Sequence, residues 1–367
     1  MSGQIPKIVH RVASPPPRFF IGAPREGERP PSTQNFRQAQ TLRSHASPTS
    51  AAVERHMNIL SGALPAYMPL KCKMHAIAFD NALIQSGGEH ANADRYNPSI
   101  TDHAGALWCV VRVVNKARHT RNLIGRLAFR SGDWRLERGH WIEDKVPGSR
   151  ENAETRGYQD CRLFVHNGKL CASAVVCDLT PGDTKPKIAL LEFDAAGDIV
   201  AAHVQRSDRW EKNWMPAVVD DELHFVYSTD PTIALRYDDA TCEVVPSALQ
   251  VPKYISQLRG GSQLIPYEDG YIAVVHQVHQ AHPLIYLHRF VLFDRELQFV
   301  RKSAAFYFDK LGIEFCAGIV ERRDGFMMSL GTDDRHSWIA TVERETVRAM
   351  LAPRATHADA CTLQRGK

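Results

Sequence analysis

The chain has 367 residues, of which 44% are hydrophobic and 23% charged, with a formal net charge of +4. Such a profile belongs to a globular protein with room for a sizeable core, and it excludes a wholly disordered, collagen-like or coiled-coil chain. No apolar run reaches the ~18 residues of a membrane-spanning helix.

Chain order begins with a biased segment. Residues 1–50 hold seven Lys/Arg against two acids and eight of the 21 prolines, including SPPPR at 14–18 and RPP at 29–31. That segment carries +5, so the rest of the chain carries −1. Proline at this density blocks both helix and sheet ladders. Residues 1–50 are therefore expected to be a disordered basic arm, solvated or in weak contact with anionic headgroups or a partner. With the positive charge confined there, the folded body shows no basic stripe, and no nucleic-acid partner is expected. The start also lacks the apolar h-region of a secretory signal. The eight cysteines (72, 109, 161, 171, 177, 242, 316 and 361) form no C-x-x-C pair and read as reduced thiols in a cytoplasmic protein.

The next segments read as a helix candidate at 51–60 and then, over residues 74–351, strand after strand. LWCVVRVV (107–114), KLCASAVV (169–176), ELHFVYS (222–228), YIAVVHQV (271–278) and FMMSLG (326–331) are short and apolar, rich in β-branched or aromatic residues. Turn signals separate them: HNGK (166–169), VDDE (219–222), YEDG (267–270) and RRDG (322–325). One further helix is expected at ERETVRAM (343–350).

Five of these hairpins are alike, starting at Asn97, Asp160, Asn213, Gly261 and Phe315, with spacings of 63, 53, 48 and 54 residues. A repeat of about 50 residues with three or four strands each marks a β-propeller. The expected organisation is all-β: a five-bladed propeller over residues 51–352, the arm at 1–50 and a flexible tail at 353–367. A sixth blade would have to hide in residues 50–95, and a β-sandwich would not explain the period. Equivalent positions of successive blades converge on one mouth of a propeller. Polar residues there are candidate site residues, or else turn formers and strand caps. Asp160 and Arg162, two apart on one strand, are expected to face the same way.

The segment GYQDCRLFVHNGKLCASAV (157–175) resembles G-x-E-D-[PA]-R-[LI] of the β-mannoside phosphorylase family, a group of five-bladed propellers. Its relatives include β-1,2-mannosyltransferases and, more distantly, arabinanase-like hydrolases. YNPSI (96–100), EKNWMPAVVDDELHFVYS (211–228), GGSQLIPYEDGYIAVVHQV (260–278) and EFCAGIVERRDGFMMSLGTDD (314–334) resemble further family segments in the same order.

The resemblance implies an enzyme that transfers a glycosyl unit, by phosphorolysis or from a sugar-phosphate or nucleotide-sugar donor. Asp160 matches the family's general acid, and a poor alkoxide leaving group needs such a proton. Arg162, Lys212 and His276 match cationic positions for phosphate, with Arg112 a further candidate. Asn97, Asn213 and Asp333 or Asp334 match sugar-binding positions. Glu314 has no clear family counterpart, and is read from its place at a strand start as a second acid or base, or as a salt-bridged strand cap. Trp108 or Trp214 would stack on a sugar ring or fill the core.

The chain departs from the family where E-D is Gln159–Asp160 and where Y-H-G is Val275–His276–Gln277. The missing second carboxylate argues against two-carboxylate hydrolysis. No cofactor is implied. His276, His279 and His282 do not converge on an alternating strand, and no metal site is expected. The alternatives are a non-catalytic glycan- or protein-binding propeller and a glycoside hydrolase.

Overall fold

The computed structural model describes residues 66–146, 157–177, 185–205, 207, 209–245 and 257–352. The expected arm (1–50), the helix candidate at 51–60 and the tail (353–367) lie outside the described residues. All described residues fall within one compact unit, Ser50–Lys367.

The chain enters through β1 (Tyr67–Pro69) and β2 (Lys73–Ala78), then builds five blades. Blade I is β3 (Asp94–His103), β4 (Ala106–Val114), β5 (Thr120–Arg130) and β6 (Asp133–Trp141). Blade II is β7 (Gln159–His166), β8 (Lys169–Val176), β9 (Lys187–Phe193) and β10 (Ile199–Val204). Blade III is β11 (Met215–Val219), β12 (Glu222–Thr229), β13 (Thr232–Asp238) and β14 (Glu243–Val245). Blade IV opens with the broken inner strand β15 (Arg259–Gly260) and β16 (Ile265–Tyr267). It continues through β17 (Gly270–His279), β18 (Ile285–Phe293), β19 (Phe299–Lys302) and β20 (Ala305–Tyr307). Blade V has β21 (Glu314–Arg322), β22 (Gly325–Thr332) and β23 (His336–Glu343), followed by the expected helix, Arg344–Leu351. The fold is thus an all-β five-bladed propeller.

Local chemistry sets the hairpins. Two-residue turns that match the twist of the strands need positive φ at both central residues. Ala104–Gly105, Ser131–Gly132, Asn167–Gly168 and Asp220–Asp221 all adopt it. The fourth strand of blade V comes from the other end of the chain: β2 pairs antiparallel with β23, from Lys73↔Thr341 to Ala76↔Trp338. Its end then pairs parallel with β6 through Ile77↔Trp134. This closes the ring and leaves neither terminal blade with a free outer edge.

The core lies between blades rather than on the axis. Ile100, Val111 and Leu123 of blade I pack with Val320, Met327 and Ile339 of blade V. Trp108 and Ile124 pack with Leu163 and Ala172 of blade II. Phe164 and Leu190 meet Trp214 and Phe225 of blade III, and Met215 and Val226 meet Ala273 and Val291 of blade IV. Side chains of the inner strands tie the axis together. Gln263 donates to the carbonyls of Ile100 (2.9 Å) and Ile319 (2.8 Å), joining blades IV, I and V. Ser99 donates to the Ala317 carbonyl and accepts from the Leu163 amide, both at 2.9 Å.

Candidate active site

Each inner strand starts at one face of the ring. With antiparallel strands, the β4–β5 and β22–β23 turns and the links between blades lie on that same face, which is the mouth. The inner strands bulge there. The β3–β4 register shifts between Tyr96 and Ser99, and the β7–β8 register between Gln159 and Arg162. The residues in these bulges, Asn97 (φ 49°) and Asp160 (φ 51°), are left-handed, as is Asn213 (φ 62°) just before β11. Asn and Asp tolerate this region best among residues with a Cβ, because the short polar side chain bonds locally. Three blades therefore set a left-handed polar residue at the start of the inner strand, two of them within a bulge.

This placement brings Asn97, Arg112 and Asp160 together. Asn97 Nδ2 donates to Asp160 Oδ1 at 2.8 Å, and Arg112 NH1 donates to the same oxygen at 2.9 Å. Both donors converge on one oxygen; among the described residues no donor contacts Oδ2. The Asp160 side chain is 24% exposed. Burial works against its charge, but Arg112, the Asn97 bond and Arg162 outweigh it and hold the carboxyl below its ordinary range. Arg112 lies over the Tyr96 ring, 5.3 Å from its centroid.

Arg162 departs from expectation. The bulge at residues 159–162 breaks the alternation, and Arg162 bonds the main-chain carbonyl of Asp160, not its carboxylate. It is 1% exposed and spends its fork inside the ring. Nε donates to the Gly261 carbonyl (2.6 Å), NH1 to the Asp160 carbonyl (3.2 Å), and NH2 to Asn213 Oδ1 (3.0 Å) and the Gly260 carbonyl (3.3 Å). Its guanidinium also lies over Phe315 of blade V. The glycine pair lets the backbones around these carbonyls close up: a Cβ on Gly260 would stand 2.0 Å from the Asn213 carbonyl oxygen, and one on Gly261 2.4 Å from that of Val274. Arg162 is thus a strut joining blades II, III, IV and V beneath Asp160, not an open cation for phosphate.

His276 departs in the same way. It is 2% exposed, stacks on Tyr286 with centroids 5.4 Å apart, and meets the edge of Phe315 at 5.1 Å. Burial, His288, Arg162 and Arg259 push its pKa well below the ordinary imidazole value, so it is neutral at neutral pH and offers no positive charge.

Glu314 is fully buried, and its carboxylate accepts from the amides of Phe308 (2.7 Å), Asp309 (2.8 Å) and Lys310 (3.0 Å). It holds the loop between β20 and β21 and turns no oxygen to the mouth. Trp108 and Trp214 are core residues.

The remaining candidates stay at the rim. Lys212 is exposed beside Asn213 and forms no ion pair among the described residues. Asp333 accepts from Lys310 Nζ at 2.7 Å. The pKa of its neighbour Asp334 is raised by desolvation of the carboxyl and then by the charge of Asp160, with Arg112 and Arg118 opposing. Asp334 and Asp160 therefore sit in each other's field. Three groups that sequence reasoning missed share this field: Arg118, Arg259 and Tyr286, the last raised by burial and then by Asp334. Arg118 (φ 68°) lies in the β4–β5 turn and Arg259 pairs with His276 across blade IV. Neither position carries a motif, and only the ring brings them to the mouth.

Among the described residues no group of three or more His, Cys, Asp or Glu stands at metal-binding spacing. Seven cysteines are free thiols there, and no described helix is long and apolar enough to cross a membrane.

No family model matches the chain, and no curated protein matches its sequence. Solved structures do match. One is from work on the GH130 family of mannoside phosphorylases, which contains glycoside hydrolases that target β-1,2 mannosidic linkages. It has TM-score 0.55 and 14% identity, over 71% of this chain and 87% of its own length. A glycoside hydrolase fold from Bacteroides ovatus matches with TM-score 0.54 and 12% identity, over 71% of this chain and 89% of its own. A mannose phosphorylase from Leishmania mexicana, in complex with phosphate ion, matches with TM-score 0.50 and 11% identity, over 76% and 90%. At these identities the likeness is one of fold: the chain has the five-bladed propeller architecture of mannoside phosphorylases and related glycoside hydrolases.

Proposed function

We propose that this chain is a carbohydrate-active enzyme that transfers a glycosyl unit, a mannosyl unit first among the candidates, between a saccharide and phosphate. The proposed catalytic unit is residues 51–352, with the arm at 1–50 and the tail at 353–367 outside it. The observation that carries the reading is Asp160, anchored through one carboxylate oxygen by Arg112 and Asn97 at the mouth. The described neighbours of the fold, a mannose phosphorylase with phosphate among them, support the substrate class.

The chemistry follows from the charge state. A glycosidic oxygen must be protonated as its bond to the sugar breaks. Asp160 is ionised in the free protein and is therefore a base. In synthesis it takes the proton of the acceptor hydroxyl while the glycosyl phosphate loses its phosphate. In phosphorolysis the same carboxyl, once protonated, returns that proton, directly or through a substrate hydroxyl. Arg112, Arg118, Arg259 and Lys212 supply positive charge for phosphate. Asn97, Asn213, Asp333 and Asp334 offer hydrogen bonds to hydroxyls.

A second reading, hydrolysis, draws support from Asp334. It is a carboxyl with raised pKa in the field of an ionised one, which is the pairing that acid–base hydrolysis needs.

The test is turnover of β-1,2-linked mannosides with and without inorganic phosphate. Mannose 1-phosphate formed only with phosphate is the expected result, and Asp160→Asn should lower its rate by about 10²–10⁴-fold at unchanged melting temperature. Free mannose without phosphate consumption would establish the hydrolase. Binding without turnover would establish the non-catalytic propeller. Full activity in Asp160→Asn would remove Asp160 from the chemistry.

A further inference from the structure

We propose that a second cavity on the mouth face, between blades I and II, is a subsite for one hydroxyl-rich ring, a pyranose unit, beside the Asp160 centre. The cavity has a volume of about 300 Å³, and its lining includes His90, Thr120, Arg121, Asn122, Gly157 and Tyr158. This is at the small end of ligand sites, of a size for a single sugar ring. It adjoins the centre through two connections. Asn122 is the cross-strand partner of Arg112, which holds Asp160. Gly157 and Tyr158 lead directly into the strand that carries Asp160.

The lining has unmet hydrogen-bonding capacity. His90, Thr120 and Asn122 are 3%, 4% and 7% exposed, and His90 Nδ1, Thr120 Oγ1 and Asn122 Oδ1 have no partner among the described residues. Buried polar atoms are rarely left so, and three around one cavity indicate a missing ligand. The partners already made define what is missing. His90 Nε2 faces the His119 carbonyl oxygen at 3.2 Å, so that nitrogen carries the proton and Nδ1 is a bare acceptor. Asn122 Nδ2 donates to the Tyr158 carbonyl at 2.8 Å, which leaves Oδ1 as an acceptor. The wall thus asks for donors. A phosphate dianion has none to give, and the lining carries both signs, the Arg121 guanidinium (over Trp141 at 4.8 Å) and the carboxyls of Glu89 and Asp144, so it is not built for an ion of one sign. Neutral hydroxyls on a ring meet both conditions.

The choice of a sugar rests on the reading of the mouth as a glycosyl-transfer site, so the test measures binding rather than turnover. Calorimetry on the full chain uses D-mannose and D-glucose as probes. It compares the parent with Thr120→Val, Thr120→Ser, His90→Phe and Asp160→Asn, each checked for folding by thermal melt. A hexose should bind the Asp160→Asn variant as well as the parent and the Thr120→Ser variant nearly as well. Thr120→Val and His90→Phe should each weaken it by about fivefold or more, the loss of one hydrogen bond. Binding that depends on Asp160 and ignores both cavity variants would overturn the assignment, as would the absence of binding by either hexose, which would mean a water-filled cavity. If this pattern holds while no mannoside is turned over, the functional reading falls and the subsite stands. If turnover holds and the pattern fails, the reverse is true.

Discussion

Arg162 shows how a residue type can be read correctly and its role misjudged. A guanidinium next to a candidate acid looks like a phosphate ligand, yet every acceptor it reaches belongs to the protein: three carbonyls and Asn213 Oδ1. Desolvation lowers its pKa to about 10, still leaving it charged at neutral pH. Its work is positional: it fixes the bulge that presents Asp160. Lysine cannot reproduce a planar fork. Arg162→Lys would leave at least two buried carbonyls without donors, a cost of about 1–3 kcal/mol each. The expected result is a loss of about 3 kcal/mol in urea unfolding. A fall in kcat at nearly constant KM for phosphate should accompany it, since the anion does not contact this side chain. A large rise in phosphate KM alone would contradict the positional role.

At the scale of elements, the ring depends on β2. This short strand is the fourth strand of blade V and also the seam to blade I. Ile77, 5% exposed, sits in that seam among Val111, Leu123 and Ile339. Ile77→Asp would place a carboxylate in an apolar contact without a partner, and should cost about 3 kcal/mol or more. Denaturant titration should show a lower midpoint, with Ile77→Val close to the parent. Equal midpoints for Asp and Val would show that closure does not carry the fold's stability. The hairpins were legible beforehand because each turn signal is local: Asn167–Gly168 and Asp220–Asp221 specify their own geometry. The closure was not, because β2 pairs with strands more than 50 and 250 residues away, and no local pattern marks a strand that completes another blade.

For the whole molecule, the buried histidines of blade IV set a limit in acid. His288 is fully buried against Phe306 and Phe308, and burial lowers its pKa to about 3. His276 is shifted in the same direction. The unfolded chain takes up these protons near pH 6.5 and the folded chain does not. The stabilisation is therefore present above about pH 6.5 and is lost as pH falls towards 3. Between pH 7 and 5, His288 alone should remove on the order of 1–2 kcal/mol. Thermal melts of His288→Phe should show a shallower decline over that interval. A decline as steep as that of the parent would assign the acid sensitivity elsewhere.

Order, period and turn chemistry were set by the sequence alone. Five similar hairpins about 50 residues apart specify five blades, and the shared start position of each points to one mouth and to Asp160 within it. That information is local or periodic, so it can be read along a single chain. Only the tertiary structure decided which polar groups are open and which are already engaged. Arg162, His276 and Glu314 are turned inward by a bulge, a ring stack and a loop, whereas Arg118, Arg259 and Tyr286 reach the mouth from stretches without a motif. Charge state and availability depend on neighbours brought in from distant blades, and those neighbours exist only once the ring has closed.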